Sequence, residues 1–199
     1  PDNSALFILK GYAGTGKTNL VSALSRVLPT FKWKSVLLAP TGRAAKVLSL
    51  YSKRPAHTIH KKIFNKSVSE SGSFMFSLGE NKHTNTIFIV DEASMIGLDS
   101  NSGNNYAAPG LLESLFEYVF SGENCKLLFV GDGAQLPPVG CDESPALNIK
   151  FLKASFYLNV FSCELTQVAR QSLESGILEN ATKLRSLLGN FEGQIPQLR

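Results

Sequence analysis

Four short runs of nearly continuous apolar residues punctuate the chain: ALFIL at 5–9, VLLA at 36–39, IFIV at 87–90 and LLFV at 127–130. Such runs, rich in β-branched and aromatic residues and lacking polar alternation, mark strands covered on both faces. Between them apolar residues recur at helical spacing: Leu20, Leu24, Val27 and Leu28; Ala44, Val47, Leu48 and Tyr51; Leu112, Leu115, Phe116 and Val119. Strand and helix alternate. This order predicts an α/β fold, a mostly parallel sheet with helices on both faces joined by right-handed crossovers. Towards the C-terminus, residues 156–160 and 163–168 each read as a strand, ahead of a helix with Ile177, Ala181, Leu184 and Leu188 on one side.

Two segments interrupt the alternation. The polar stretch 65–85 contains one short alternating run, SFMFSL, followed by a GEN turn signal, and reads as a small hairpin outside the main sheet. Residues 99–110, DSNSGNNYAAPG, are rich in Gly, Asn and Ser and read as a mobile loop. A length of 199 residues suits one domain with its own core, and no apolar run approaches the length of a bilayer span. Cys125, Cys141 and Cys163 stand too far apart for paired metal-ligand spacing and are odd in number. They read as ordinary thiols of a reducing, cytoplasmic setting. The chain begins at Pro1 with a strand starting by Ala5, as expected of a piece with an upstream part missing.

Charge sharpens the picture. No Asp or Glu occurs from Asn3 to Ser69, a stretch with twelve Lys and Arg residues, although the net charge of the whole chain is only +4. A concentration of cations in the first half is what contact with a polyanion requires; a solvated basic face balanced by the acidic half is the other reading.

GYAGTGKT, residues 11–18, lies between the first predicted strand and the first predicted helix. That context makes it a phosphate-binding loop. Gly11, Gly14 and Gly16 let the backbone amides turn inward, with Ala13 and Thr15 completing the cradle. Lys17 carries a charge to the β and γ phosphates, and the Thr18 hydroxyl is placed for Mg²⁺. DEASMI, at 91–96, ends the third apolar run with two carboxylates, where open parallel sheets bind ligands. Asp91 is the expected Mg²⁺ carboxylate, and Glu92 the expected base for the attacking water. GDGAQLPPVG follows the fourth run, so Gln135 is expected beside the carboxylates, its amide meeting either the γ-phosphate or the lytic water.

These stretches, with APTGRAAK (39–46), TIHK (58–61) and ELTQVARQ (164–171), resemble in order and approximate spacing the superfamily 1B DNA helicases, the RecD-like group that includes the alpha subunit of exonuclease V. The resemblance implies a P-loop NTPase fold of RecA-like type over residues 1–171, with a helical segment at 172–199 leading to a second RecA-like domain. It implies ATP and Mg²⁺ as cofactors, single-stranded DNA as partner, and movement 5′ to 3′. By the same resemblance Pro40, Thr41, Gly42 and Arg43, and Thr58, His60 and Lys61, contact the strand backbone, while Arg170 acts at the nucleotide as an arginine finger. For Arg170 the local alternative is a salt bridge to Glu164 or Glu174. The hairpin stands where this group carries a strand-separating pin, although Phe74 and Phe76 also fit a core role. The upstream adenine-recognising glutamine motif and the motifs of the second motor domain are not in the sequence given. An ATP-gated nucleic-acid clamp without unwinding activity is the alternative function, and a P-loop small-molecule kinase a third.

Overall fold

The computed structural model describes residues 4–68, 72, 74–98, 110–138, 140–167 and 180. The four apolar runs form the centre of a six-stranded sheet. They are β1 (Ala5–Gly11), β2 (Lys34–Ala39), β6 (Thr86–Val90) and β7 (Lys126–Gly131). β3 (Ala56–Thr58) and β8 (Asn159–Leu165) complete it at the edges, in the order β3-β2-β6-β7-β1-β8. Every neighbouring pair runs parallel. The two faces of each central strand feed separate cores, which is why the runs lack polar alternation. Leu6 and Ile8 of β1, with Phe88 of β6 and Phe129 of β7, belong to one core. Leu9, Ile89 and Val130 belong to the other.

Helices α1 (Lys17–Val27) and α2 (Gly42–Ser52) supply Val21 and Leu48 to the second core. The first core takes residues from α3 (Ile59–Ile63), α4 (Leu111–Ser121) and α5 (Ile149–Phe156). Burying each fully enclosed side chain, Phe88 and Phe129 among them, contributes about 1.5–3 kcal/mol. The α/β architecture is as expected.

The predicted strand at 156–160 does not form. Asn148 accepts a hydrogen bond from the Phe151 amide at 3.0 Å, capping α5, which continues through Phe156 because that ring packs edge-on against Phe116 with centroids 4.7 Å apart. Tyr157 then turns the chain with φ 51°, and a single strand, β8, follows. A hairpin of β4 (Phe64–Val68) and β5 (Phe74–Leu78) forms its own antiparallel sheet. Phe74 and Phe76 are 59% and 64% exposed there, so they are not core residues. Lys66 lies 3.5 Å from the centroid of the Phe74 ring, a cation–π contact. The expected loop at 99–110, Gly110 apart, and the expected helix carrying Ile177, Ala181, Leu184 and Leu188 lie outside the described residues.

Candidate nucleotide site and its flanking basic groove

Parallel strands present all their C-terminal ends at one edge, and the register brings the motifs together there. Lys10 of β1 pairs with Gly131 of β7, and Val90 of β6 with Phe129 of β7. The phosphate loop, the acidic pair and the Gln135 loop therefore leave adjacent strands side by side. Next to β6 lies β2, whose Ala39 pairs with Thr58 of β3, so Pro40 to Arg43 and Thr58 to Lys61 leave the same edge.

Gly14 and Gly16 adopt φ 84° and 88°, a left-handed backbone open to glycine at little cost. Gly11 is required for a different reason. A Cβ there would lie 2.7 Å from Thr15 Oγ1 and 3.0 Å from the Leu165 Cβ of β8. Thr15 is buried, and its hydroxyl donates to the Tyr12 carbonyl at 2.8 Å, so its side chain supports the loop from within. Ala13 is exposed at the loop surface, and Thr18 stands partly buried in the first turn of α1. Lys17 Nζ donates to the carbonyl oxygens of Gly11 at 2.6 Å and Tyr12 at 3.0 Å. Lys17 thus rests on carbonyls of its own loop.

Asp91 is almost fully buried. Burial, and then repulsion from Glu92, push its carboxyl up to about 6 from the ordinary 3.8, against the opposing pull of the Glu92 amide and the Lys17 ammonium. The Glu92 amide donates to Asp91 Oδ1 at 3.0 Å. Glu92 itself holds φ 54°, an uncommon conformation for a residue with a Cβ and a small store of strain at the turn. The Thr18 hydroxyl and the buried Asp91 carboxylate are hard-oxygen donors, the ligand type that Mg²⁺ takes together with phosphates and water.

Gln135 is exposed, but its amide is tied down: Ser94 Oγ donates to Oε1 at 3.1 Å. Asp132, 2% exposed, shapes the loop between them by accepting from the Ala134 amide at 2.9 Å through Oδ1 and from the Gln135 amide at 3.2 Å through its carbonyl. Sequence reading passed over both Ser94 and Asp132. The Asp-Gly-Ala turn signal pointed to Asp132, whereas nothing local pointed to Ser94. Arg170 lies outside the described residues.

On the flank, Thr41 caps α2 by accepting from the Ala44 amide, and Thr58 caps α3 by accepting from the Lys61 amide, both at 3.2 Å. Their hydroxyls thus have structural partners before any strand arrives. Pro40 is partly buried, while Gly42, Arg43, His60 and Lys61 are exposed. His60 packs its ring against Phe64, and partial desolvation lowers its pKa from the ordinary 6.5. A groove of about 710 Å³ runs between α2 and β3, lined by Gly42, Lys46, Lys53, His57, Thr58 and Lys61 among others. Among the described residues the one ion pair joins Lys82 to Glu80, so no cation of this groove is neutralised by a carboxylate within 4 Å. Among the described residues, therefore, direct pairing does not cancel the acid-free stretch.

Residues 2–141 match the family described as an AAA domain. The chain belongs to that family. It is 28% identical over 190 residues to the ATP-dependent DNA helicase dda of Enterobacteria phage T4, covering 92% of this chain and 38% of the relative. With the ATP-dependent RecD2 DNA helicase of Deinococcus radiodurans it shares 29% over 182 residues, 88% of this chain and 21% of that one. The AAA domain is here a RecD-like, superfamily 1 helicase-type motor domain. It spans well under half the length of either relative. Among solved structures, the Phi-28 gp11 DNA packaging motor aligns over 98% of this chain and 67% of its own at 14% identity and TM-score 0.38, a likeness too slight to add to the fold. No helix among the described residues is long and apolar enough to cross a membrane.

Proposed function

We propose that this AAA domain is the N-terminal motor half of an ATP-dependent DNA helicase that moves 5′ to 3′ on single-stranded DNA. The observation that carries the reading is the convergence, on one sheet edge, of the phosphate loop, Asp91, Glu92 and the Ser94-anchored Gln135, directly beside an unneutralised basic groove.

In this reading the amides of residues 11–18 and the N-terminus of α1 surround the triphosphate. Lys17 exchanges its loop carbonyls for phosphate oxygens, a switch that leaves those carbonyls to water or neighbouring amides. Thr18 and Asp91 hold Mg²⁺, which when bound neutralises charge on the phosphates. Glu92, at the strained turn, takes the proton of the attacking water. Arg170 is proposed to reach the terminal phosphate as hydrolysis proceeds. Pro40 to Arg43 and Thr58 to Lys61 hold the strand backbone. The exposed Phe74 and Phe76 of the hairpin offer aromatic faces at which strands can be parted by stacking.

Motion requires a second domain that closes on the nucleotide and grips the strand alternately. The deciding experiment compares ATP hydrolysis by this chain and by a polypeptide extended beyond residue 199, each with and without single-stranded DNA. Strong stimulation of the longer protein is expected. An extended protein whose hydrolysis ignores DNA ends the reading, and nucleotide-dependent DNA binding without unwinding turns it into a clamp.

A further inference from the structure

The basic surface does not stop at the groove beside α2. A second cavity of about 570 Å³ opens at the last turn of that helix, lined by Ser22, Arg26, Tyr51, Ser52, Lys53 and Arg54. Lys53 lines both cavities, so the two meet at the C-terminal end of α2. That end is remote from the nucleotide. Helices α1 and α2 both start at the strand edge that carries the phosphate loop, and each runs 11 residues, about 16 Å, to finish at this cavity. Its whole wall belongs to the acid-free stretch from Asn3 to Ser69, and the one ion pair among the described residues, Lys82 with Glu80, lies elsewhere.

Both arginines are held in place by oxygens that carry no full charge. Arg26 donates from Nε to the Ser22 carbonyl at 3.2 Å and from Nη2 to the Ser22 hydroxyl at 3.4 Å. Arg54 donates from Nη1 to the Ser25 carbonyl and, at 3.1 Å, to Ser35 Oγ. Carbonyls in the last turns of α1 carry partial negative charge and attract a cation, which accounts for one arginine there. Two arginines and a lysine exceed it, because a helix end offers only about half a charge. Backbone preference does not place Lys53 either: it closes α2 with φ 55°, a conformation that glycine takes at less cost. Each guanidinium has more N–H donors than these bonds use, and the bonds fix the direction of the rest, which suits an anionic oxygen. Tyr51, 50% exposed on the same wall, places an aromatic ring near the cations, as a base beside its phosphate requires. We infer that a strand held in the groove between α2 and β3 continues past Lys53 and lays a further phosphate on Arg26 and Arg54, an accessory nucleic-acid contact on the side of the domain away from the nucleotide. The inference rests on the DNA reading of that groove and extends it.

The test measures binding of fluorescent single-stranded oligonucleotides to the 199-residue chain, one of about 4 nucleotides, sized to the groove alone, and one of about 16, which reaches further. The unaltered chain binds the longer strand more tightly. Arg26→Glu weakens the longer strand at least about tenfold, as loss of a hydrogen bond to a charged group would, and leaves the shorter one as it was. The slope of log K against log salt for the longer strand becomes shallower by about 0.7 for each phosphate released. Arg26→Lys, which keeps the charge, restores most of the affinity. Lys153→Glu makes the same kind of charge reversal on α5, across the sheet, and spares both strands. Equal losses for the two lengths in Arg26→Glu, an equal loss in Lys153→Glu, or an unchanged longer strand in Arg26→Glu overturns the inference. The groove reading survives that result if Lys46→Glu weakens both lengths, and falls with it if Lys46→Glu weakens neither. Inorganic phosphate whose binding depends on Arg26, without any dependence on strand length, identifies a small-anion pocket and overturns the inference as well. Failure of the unaltered chain to bind either strand removes both readings.

Discussion

The ammonium of Lys17 donates to the carbonyl oxygen of Gly11 at 2.6 Å, reaching back across the loop that both residues belong to. A second bond to Tyr12 makes Lys17 a brace for the phosphate loop as well as its charge. Two functions then depend on one side chain. Lys17→Ala is expected to abolish nucleotide binding and also to loosen the loop. The structural cost is limited by the partial exposure of the lysine, about 1 kcal/mol, or a fall of about 2–4 °C in Tm for a chain of this size. Paired calorimetry of binding and unfolding checks both parts. A variant that melts like the parent would mean the brace carries no stability.

Asp91 presents a stability cost with a defined pH window. Its folded carboxyl titrates at about 6 and its ordinary value is 3.8, so the folded protein holds the proton more tightly than the unfolded chain. Stability therefore falls as pH rises from about 4 to about 6, and the full penalty, up to about 3 kcal/mol, persists above that. Asp91→Asn removes the buried charge while keeping an oxygen for the Glu92 amide. The variant is expected to match the parent near pH 4 and to exceed it by about 1–3 kcal/mol at pH 8 in urea unfolding. Mg²⁺-dependent nucleotide binding is lost in exchange. In the parent that binding weakens as pH drops below about 6, because the proton and the metal compete for one carboxylate.

Legibility from sequence followed how locally each feature is encoded. The phosphate loop is contiguous, and the acidic pair ends an apolar run, so both were apparent. Helix α4 was read correctly: Leu112, Leu115, Phe116 and Val119 are all buried, because this helix packs bulky apolar residues against the sheet. Helix α1 was not. Leu20 and Val27, predicted to face inward, are 46% and 49% exposed, whereas Ser22 and Ser25 are buried. Ser25 Oγ donates to the Ser22 carbonyl at 2.9 Å, which satisfies a hydroxyl inside and lets small side chains occupy the packed face. Leu20 and Leu24 instead line an apolar groove of about 530 Å³ with Phe7, Phe161 and Leu165, and no residue of the phosphate loop takes part in it. Helix α2 repeats the pattern, with Ser52 buried and bonded to the Leu48 carbonyl while Val47 and Tyr51 face outward. A count of apolar residues cannot see hydroxyls that satisfy themselves on their own helix. The left-handed turns at Tyr157 and Glu92 had no sequence signal either, since neither residue type favours φ above zero.

The groove beside α2 makes a prediction about DNA. Lys46, Lys53 and Lys61 line it with no carboxylate partner among the described residues, so a phosphate they meet displaces solvent and counterions. Replacing Lys46 or Lys61 by Glu is expected to weaken single-stranded DNA binding to a similar degree for every base sequence. The dependence of log K on log salt should become shallower by about 0.7 for each phosphate that is no longer neutralised. Exposed positions of this kind move stability by no more than about 0.5 kcal/mol. Fluorescence anisotropy over a salt series, in the extended protein, reads the slope directly. A parallel displacement of the line with unchanged slope would remove these lysines from the strand path.

In the proposed reading, Glu92 links hydrolysis to the state of its neighbour. Glu92→Gln keeps the size and the strained turn but cannot take a proton, so hydrolysis is expected to fall by about 10²–10⁴-fold while nucleotide still binds. The same substitution also deletes the negative charge that helps to raise the Asp91 carboxyl. With that repulsion gone, Asp91 should lose its proton at lower pH, and Mg²⁺-dependent nucleotide binding should persist further into the acid than in the parent. The two readouts are independent, one a rate and the other a binding midpoint at lower pH than the parent's. Turnover at the parental rate would remove Glu92 as the base. A midpoint that fails to move would mean that burial alone, without Glu92, sets the titration of Asp91.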